Sequence, residues 1–430
     1  MIGIRREDKS RWEARVPLVP ADVGRLRTEG GVDITVQSSA NRAFSDARFR
    51  QAGAAVAEEL TDCPIILGVK EIPPEKLEPG RTYLYFSHTI KGQPANMPAL
   101  RRLMELGCQL IDYEKIEDDR GRRLVFFGDY AGLAGMIDAL WALGQRLRHE
   151  GIDNPFGGIR QAYRYDDLDH ARRDIAAVGE RIRQEGLPAE IRPLVCGFAG
   201  YGRVSQGAQQ IYDLLPVTEV APENLASLPP AEKSCYKVVF REEHLVERTD
   251  NSAPFDLQEY YTQPERYAAR FFPFVEHLTV LVNCIYWEPR YPRLATREQL
   301  QGLYGGPGQP RLRVIGDITC DIDGALACTV RATEPDNPVY VYEPAGGRTR
   351  DGVAGDGPVV LAVDFLPCEL PVDASNHFSA SLRPFIPALA TADFTRPLSE
   401  AGLPPEIERA TIVYQGRLTD AYRYLEEFVG

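Results

Sequence analysis

Three stretches of this chain end in side chains able to take and give protons. Ile65-Ile-Leu-Gly-Val-Lys70-Glu71 is an apolar run that terminates in an amine beside a carboxylate. Tyr83-Leu-Tyr-Phe-Ser-His88-Thr-Ile-Lys91 repeats the design with an imidazole and a second amine, and Gln109-Leu-Ile-Asp112-Tyr-Glu114 repeats it with carboxylates. In open α/β sheets ligands gather at the carboxyl ends of the strands, which gives these groups a route to one site. A partly desolvated Lys70 would be a neutral amine and a general base; left in water, it would be half of a surface ion pair with Glu71. An imidazole such as His88 suits proton shuttling near neutral pH, or satisfies a backbone carbonyl. Arg15, in Trp12-Glu-Ala-Arg15-Val-Pro, carries the planar fork that clamps a carboxylate, or is an exposed charge in a turn.

A second kind of chemistry is written in residues 194–208, Leu-Val-Cys-Gly-Phe-Ala-Gly-Tyr-Gly-Arg-Val-Ser-Gln-Gly-Ala. A short apolar strand runs into a loop with Gly200 and Gly202, then into an amphipathic helix carrying Val204, Ala208, Ile211 and Leu215. Such a turn lets backbone approach a pyrophosphate, and the helix N-terminus supplies N–H groups and positive dipole. The spacing from Gly200 is G-x-G-x-x-x-x-G instead of G-x-G-x-x-G. Ser205 holds the third glycine's place, and Gly207-Ala208 is expected to make the close helix–strand contact. Farther on, Asn283 in Val-Leu-Val-Asn-Cys and Asp317 in Arg-Val-Ile-Gly-Asp end two more strands, where each would face the nicotinamide end of a dinucleotide or act as an ordinary turn residue.

The elements that must position these groups alternate from the start, the signature of an α/β protein with parallel sheets. Strands are expected at Ile2–Ile4, Ile34–Val36, Ile65–Val69, Tyr83–Phe86 and Gln109–Asp112, with helices such as Ala21–Thr28 and Met97–Glu105 between them. A long helix is expected over 130–150, with Gly132, Ala134 and Gly135 permitting close packing. Further strands follow at 194–197, Val217–Val220, Val238–Phe240, Thr279–Cys284, Arg313–Ile318 and Val359–Asp364. Residues 335–357 read as an exposed loop or hairpin tip. A helix capped by Asp373 or Ser375 comes next, and the short segments 406–413 and 418–428 are too little for a third domain. The organisation expected is two Rossmann-like, doubly wound domains with a cleft between them: 1–135 plus 372–430, and a dinucleotide-binding domain over 136–371.

Length and composition agree with that scale. A chain of 430 residues with 44% hydrophobic and 26% charged content is an ordinary globular protein of two domains. A net charge of −13 argues against broad nucleic-acid binding. The eight cysteines are scattered without a C-x-x-C pair, which points to buried thiols in a reducing cytoplasm and to no metal site. No apolar h-region follows Met1-Ile-Gly-Ile-Arg-Arg-Glu7, so no export signal is expected, and no apolar run reaches about eighteen residues, so no membrane span is expected.

Taken together, these segments resemble lysine–ketoglutarate reductase, the lysine-forming saccharopine dehydrogenase activity, within the alanine dehydrogenase/transhydrogenase-like group. The matching stretches are Ile4-Arg-Arg-Glu-Asp with Trp12-Glu-Ala-Arg15-Val-Pro-Leu, Ile66-Leu-Gly-Val-Lys70-Glu71 and Phe86-Ser-His88-Thr-Ile-Lys91-Gly-Gln. They continue in Leu110-Ile-Asp-Tyr-Glu114-Lys-Ile, Gly200-Tyr-Gly-Arg-Val-Ser-Gln-Gly-Ala and Val282-Asn-Cys-Ile-Tyr-Trp, and reach Ala410-Thr-Ile-Val-Tyr-Gln-Gly-Arg-Leu-Thr. That resemblance implies condensation of the ε-amine of L-lysine with the ketone of 2-oxoglutarate, then reduction of the imine by NAD(P)H in lysine breakdown. It implies Lys70 and His88 as the acid–base pair. Arg15, Lys91 and one of Arg122 or Arg123 would bind carboxylates; Glu71, Glu114 and Asp317 would orient the amine or tune the two bases.

The same resemblance gives Gly200, Tyr201, Gly202, Arg203, Val204, Ser205, Gly207 and Asn283 to the cofactor. Glu219, nineteen residues after Gly200, is expected inside its strand, whose end Val220-Ala221-Pro222 has no acid for the ribose hydroxyls. Arg203 is placed to meet a 2′-phosphate, so NADP(H) is favoured and NAD(H) is the alternative. Animal and plant relatives fuse this reductase to a following saccharopine dehydrogenase domain; a separate protein would take that step here. The competing expectations are an alanine-dehydrogenase-like enzyme using another 2-oxo acid, and a nucleotide-binding regulator without catalysis.

Overall fold

The computed structural model describes residues 1–250 and 253–429. Asn251, Ser252 and Gly430, which fall within the two stretches assigned above, lie outside the described residues. The first strands along the chain are β1 (Ile2–Ile4), β2 (Ile34–Gln37), β3 (Ala55–Ala57), β4 (Ile65–Leu67), β5 (Thr82–Tyr85) and β6 (Gln109–Asp112). Then come β7 (Val195–Ala199), β8 (Val217–Glu219), β9 (Cys235–Phe240), β10 (Val246–Arg248), β11 (Tyr267–Ala269) and β12 (Val280–Asn283). The last are β13 (Val314–Asp317), β14 (Val339–Glu343), β15 (Arg348–Asp351), β16 (Val359–Leu361), β17 (Thr411–Tyr414) and β18 (Arg417–Leu418). The chain forms two compact units, Met1–Phe127 with the segment from Pro371 onward, and Gly128–Leu370. Both are Rossmann-like α/β structures.

In the first unit an eight-stranded sheet runs β18-β17-β6-β5-β4-β1-β2-β3. Its central strands are short unbroken apolar runs, as strands covered on both faces must be. The chain winds from β1 outward through β2 and β3, then crosses to β4 on the other side and continues through β5 and β6. All of these pair in parallel. β1 and β4 therefore flank the topological switch point, where the loops at their carboxyl ends diverge and leave a crevice. The sheet is not wholly parallel as expected: β17 pairs antiparallel with β6, and β18 with β17. The β-branched run Thr411-Ile-Val leaves the Pro405–Ala410 helix directly and adds to the sheet beyond β6.

The segment after Pro371 is stitched to the segment after Arg15. Its helix begins at Pro371, ahead of the expected start, so neither Asp373 nor Ser375 is a cap. Instead the Ser375 Oγ accepts the Val16 N–H at 2.9 Å and the Ser379 Oγ accepts the Val19 N–H at 3.0 Å. Phe378, Leu382, Ile386, Ile407 and Ile412 join Ile2, Ile4, Leu67 and Leu84 in one buried core.

In the second unit the eight-stranded order is β15-β14-β16-β13-β12-β7-β9-β8. β7, β9, β8, β12, β13 and β16 are parallel, whereas β14 and β15 form an antiparallel hairpin on the far side of β16. Residues 335–357 are thus the hairpin of the two expected forms, with an exposed tip, but its first strand is buried against β16 because Val339-Tyr-Val-Tyr is β-branched and aromatic. The Tyr130–His149 helix packs within this unit, crossing the Arg203–Tyr212 helix so closely that a Cβ at Gly132 would stand 1.9 Å from the Val204 carbonyl oxygen. No helix among the described residues is long and apolar enough to cross a membrane.

Candidate active site

The loops leaving β1 and β4 at the switch point of the first unit bring several titratable groups together. Glu7, three residues beyond β1, accepts the backbone N–H groups of Val69 at 2.8 Å and Lys70 at 2.9 Å. Burial pushes its carboxyl up to about 7, against the pull of Arg5. The loop that Glu7 holds delivers Lys70. Burial first, and the Arg15 guanidinium second, hold the Lys70 amine below the usual lysine range, while Glu13 and Glu71 pull it back. Its ammonium has no hydrogen-bond or ion-pair partner among the described residues. That lowering brings the neutral, proton-accepting amine within easier reach than for a lysine in water.

His88 follows β5 in the left-handed backbone region, at φ 50°, a conformation that L-residues adopt only when their surroundings require it. Its carbonyl accepts the Asn96 side-chain amide at 2.9 Å. Its Nδ1 lies 2.7 Å from Glu71 Oε1, and Lys9 Nζ donates to Glu71 Oε2 at 2.7 Å. Burial opposes ionisation of Glu71, but the hydrogen bonds from His88 and Lys9 outweigh it and bring the carboxyl down to about 2. Glu71 is a fixed anion that orients the imidazole and leaves Nε2 for other chemistry.

Arg15 is not an exposed turn charge. Its Nε donates to Glu13 Oε1 at 2.7 Å and its second fork nitrogen to Oε2 at 2.5 Å, while the guanidinium lies 4.0 Å from the Phe127 ring centroid. Phe127 in turn stacks on Phe378 with centroids 4.6 Å apart, and Phe86 and Tyr113 complete the aromatic group. Behind β6, Asp112 is buried and structural: it accepts the Ser87 N–H at 3.1 Å and the Glu114 N–H at 2.8 Å, so it sets the strand-end turns after β5 and β6. Glu114 pairs with Arg123 at 2.5 Å, whereas Arg122 pairs with Asp118 at 2.7 Å in the neighbouring turn. Of the two arginines, Arg123 is the one beside a predicted site residue. Lys91 is exposed on the turn after His88. A cavity of about 320 Å³ nearby, lined by Arg5, Asp8, Lys76, Arg81 and Tyr83 among others, includes neither Lys70 nor His88.

In the second unit the switch point lies between β7 and β12. Gly200 has φ 95°, and a Cβ there would meet the Cys284 carbonyl oxygen at 3.2 Å. Gly202 is the residue before the Arg203–Tyr212 helix, with open space where its Cβ would be. The first-turn N–H groups of Arg203, Val204 and Ser205 have no acceptor inside the helix. A close backbone turn leading to such N–H groups fits a dinucleotide pyrophosphate. Tyr201 lies between the two glycines. The Ser205 side chain is buried and accepts the Gln209 amide at 3.0 Å, so its contribution is packing and its backbone N–H. Gly207 does make a close contact, but with the helix at Tyr130–His149 and not with the strand: a Cβ would stand 2.3 Å from the Asp129 carbonyl.

Asn283 and Asp317 are both buried at adjacent strand ends. The Asn283 amide donates to Asp317 Oδ1 at 2.9 Å and to Thr319 Oγ1 at 2.9 Å, and Asp317 also accepts from the Cys320 N–H and from Thr319 and Thr329. Asp317 therefore acts on Asn283 and its own loops. Glu219 departs from expectation: β8 ends on it, and it is exposed and 3.1 Å from Lys237 Nζ. β8 also lies outside β9, so the strand beside β7 is β9. Sequence reasoning missed Glu7, Glu13 and the residues after β9. Glu7 stood in the quoted Arg-Arg-Glu motif; no local signal marks the strand exchange. Among the described residues no group of three or more His, Cys, Asp or Glu side chains is arranged to hold a metal.

The first Rossmann-like unit thus carries a cluster of acid and base groups at its strand ends, and the second a glycine loop of the kind that fits a dinucleotide pyrophosphate. Residues 3–134 match the family described as alanine dehydrogenase/PNT, N-terminal domain. A solved L-alanine dehydrogenase shares the fold, with a TM-score of 0.61 at 18% identity over 100% of this chain and 99% of that one. The chain is 40% identical to an alpha-aminoadipic semialdehyde synthase of Arabidopsis thaliana over 99% of its own length and 41% of that protein. It is 36% identical to the mitochondrial alpha-aminoadipic semialdehyde synthase of Mus musculus, over 99% of this chain and 48% of that one. It thus spans less than half the length of these synthases. A saccharopine dehydrogenase (NAD(+), L-lysine-forming) of Emericella nidulans is 28% identical over 93% of this chain and 95% of its own. Over most of its length the chain is thus similar to a saccharopine dehydrogenase, and its residues 3–134 to the alanine dehydrogenase/PNT N-terminal domain.

Proposed function

We propose that this chain condenses L-lysine with 2-oxoglutarate and reduces the resulting imine to saccharopine with NADPH. The observation that carries the reading is the presence, in the first unit, of a Lys70 amine without a hydrogen-bond or ion-pair partner among the described residues and of an imidazole whose Nδ1 is held by the adjacent Glu71. Amine addition to a ketone needs one group to take a proton from the attacking nitrogen and another to give one to the departing oxygen. Lys70, held below the usual lysine range, takes the first role as the C–N bond forms. His88 gives its Nε2 proton to the carbinolamine hydroxyl, which leaves as water. Glu71 holds the imidazole and balances its charge; Glu114 orients the amine beside Arg123. Arg15, Lys91 and Arg123 supply cations for the substrate carboxylates. Gly200, Gly202 and the N–H groups of Arg203, Val204 and Ser205 would hold the pyrophosphate, with Tyr201 and Gly207 shaping the loop. Asn283, braced by Asp317, lies at the nicotinamide end. Bound NADPH would supply the hydride that reduces the imine.

Eight free cysteines fit a reducing compartment such as the cytoplasm. The test is NADPH consumption by the purified protein with lysine and 2-oxoglutarate, each omitted in turn, beside an NADH control. Oxidation that needs both substrates and yields saccharopine is the expected result. Turnover with pyruvate and ammonia but not with lysine would make the chain an alanine-dehydrogenase-like enzyme; nucleotide binding without turnover on any pair would make it a regulator.

A further inference from the structure

The strand next to the nucleotide loop determines which side chain reaches the ribose beyond the pyrophosphate. Here that strand is β9. It pairs with β7 from Val195↔Tyr236 to Ala199↔Phe240, and the Gly200 N–H donates to the Phe240 carbonyl at 3.0 Å. β8, with Glu219 at its end, is one strand farther out, roughly 10 Å from β7 at the usual strand spacing. Glu219 is moreover engaged by Lys237. The residue that follows β9 is Arg241. Its guanidinium carbon lies 4.6 Å from the ring centroid of Tyr201, the residue between Gly200 and Gly202. It is exposed, and its guanidinium has no hydrogen-bond or ion-pair partner among the described residues. The next acid, Glu242, which would otherwise accept ribose hydroxyls, already accepts the Tyr261 hydroxyl at 2.7 Å.

We propose that Arg241, stacked on Tyr201 at the end of β9, reads the 2′-phosphate of NADP(H) and excludes NAD(H) from equal standing. The proposal rests on the NADPH reading above and moves the discriminating cation from Arg203 to Arg241. A guanidinium with an open donor edge matches a phosphate dianion in shape and charge, and gives an unmodified ribose hydroxyl far less.

Binding can be read without turnover. Full-length wild type, Arg241→Ala and Arg203→Ala are titrated with NADPH and NADH by nicotinamide fluorescence, and with 2′,5′-ADP and 5′-ADP by calorimetry. The expected result is a wild type that prefers the 2′-phosphorylated partner of each pair. Arg241→Ala should weaken NADPH and 2′,5′-ADP by roughly tenfold to a hundredfold, the scale of a charge-assisted contact, and NADH by less than about twofold. If wild type keeps the preference and Arg241→Ala keeps it too, the assignment to Arg241 is overturned while the NADPH reading survives. Equal weakening of both members of a pair would also overturn it, since Arg241 would then serve only the adenosine or the loop. A wild type that binds NADH as tightly as NADPH would defeat the NADPH reading and this proposal together.

Discussion

His88 Nδ1 lies 2.7 Å from Glu71 Oε1, so one carboxylate oxygen fixes the orientation of the one imidazole at the strand ends of the first unit that the proposed chemistry uses. With its carboxyl brought down to about 2, Glu71 remains an anion at any working pH. Glu71→Gln should lower kcat about tenfold by losing that charge, whereas Lys70→Met, which removes the proposed base, should cost a hundredfold or more, on the order of general acid–base catalysis. Neither should change NADPH affinity. Steady-state assays beside nucleotide titration separate the two effects. Because the folded carboxyl is depressed, its stabilisation is present above the ordinary glutamate value near 4.5 and is lost as pH falls toward 2. Wild-type and Glu71→Gln melting temperatures should converge across that window.

Glu7 has the opposite linkage. Raised to about 7 by burial, its contribution to stability is present below about 4.5 and is lost as pH rises through 7, an effect of about 3 kcal/mol. Glu7→Gln should flatten the fall in stability between pH 5 and 8. It should also lower turnover, because the amide NH2 replaces one of the two oxygens that accept the Val69 and Lys70 N–H groups, leaving one N–H facing a donor. Chemical unfolding at stepped pH, followed by a reporter in the first unit, checks the slope.

Gly132→Ala tests the helix crossing under the nucleotide loop. A Cβ 1.9 Å from the Val204 carbonyl forces the Tyr130–His149 and Arg203–Tyr212 helices apart. Overpacking of this kind costs about 2 kcal/mol, or roughly 5 °C in the melting temperature of a unit this size. NADPH affinity should fall as well, since the displaced helix carries the N–H groups proposed to hold the pyrophosphate. Calorimetric scanning and nucleotide titration of the same sample provide both readings. An unchanged melting temperature would show that the crossing tolerates a methyl group.

The positions of Lys70, Glu71, His88 and Glu114 at strand ends were legible because a parallel strand covered on both faces writes itself as an apolar run with an abrupt polar end. The glycine loop was legible for a similar local reason. Glu7 was not, since β1 is three residues long and its charged follow-on reads as solvated loop. Glu13 was hidden because a carboxylate that pairs with Arg15 looks, in sequence, like any other exposed acid. Arg241 lay beyond reach for a different cause. Which of β8 and β9 lies beside β7 is decided by long-range pairing, and the nineteen-residue count to Glu219 follows the chain into the wrong strand. β17 and β18 were missed because an edge strand entering antiparallel carries no periodic signal beyond a few β-branched residues.

The core of the first unit is shared between residues near the start of the chain, such as Ile4 and Leu84, and residues far along it, such as Phe378 and Ile412. During synthesis the ribosome must therefore produce the whole of Gly128–Leu370 before the first unit's sheet can gain its last strands. At about 5–20 residues per second that interval is roughly tens of seconds. For that time the half-built sheet carries an open edge at β6 and lacks the helix bearing Phe378, while the second unit has its full complement of strands and can close first. The intervening period is when nascent chains would most need a chaperone, and the edge beyond β6 is where they would first stick to one another.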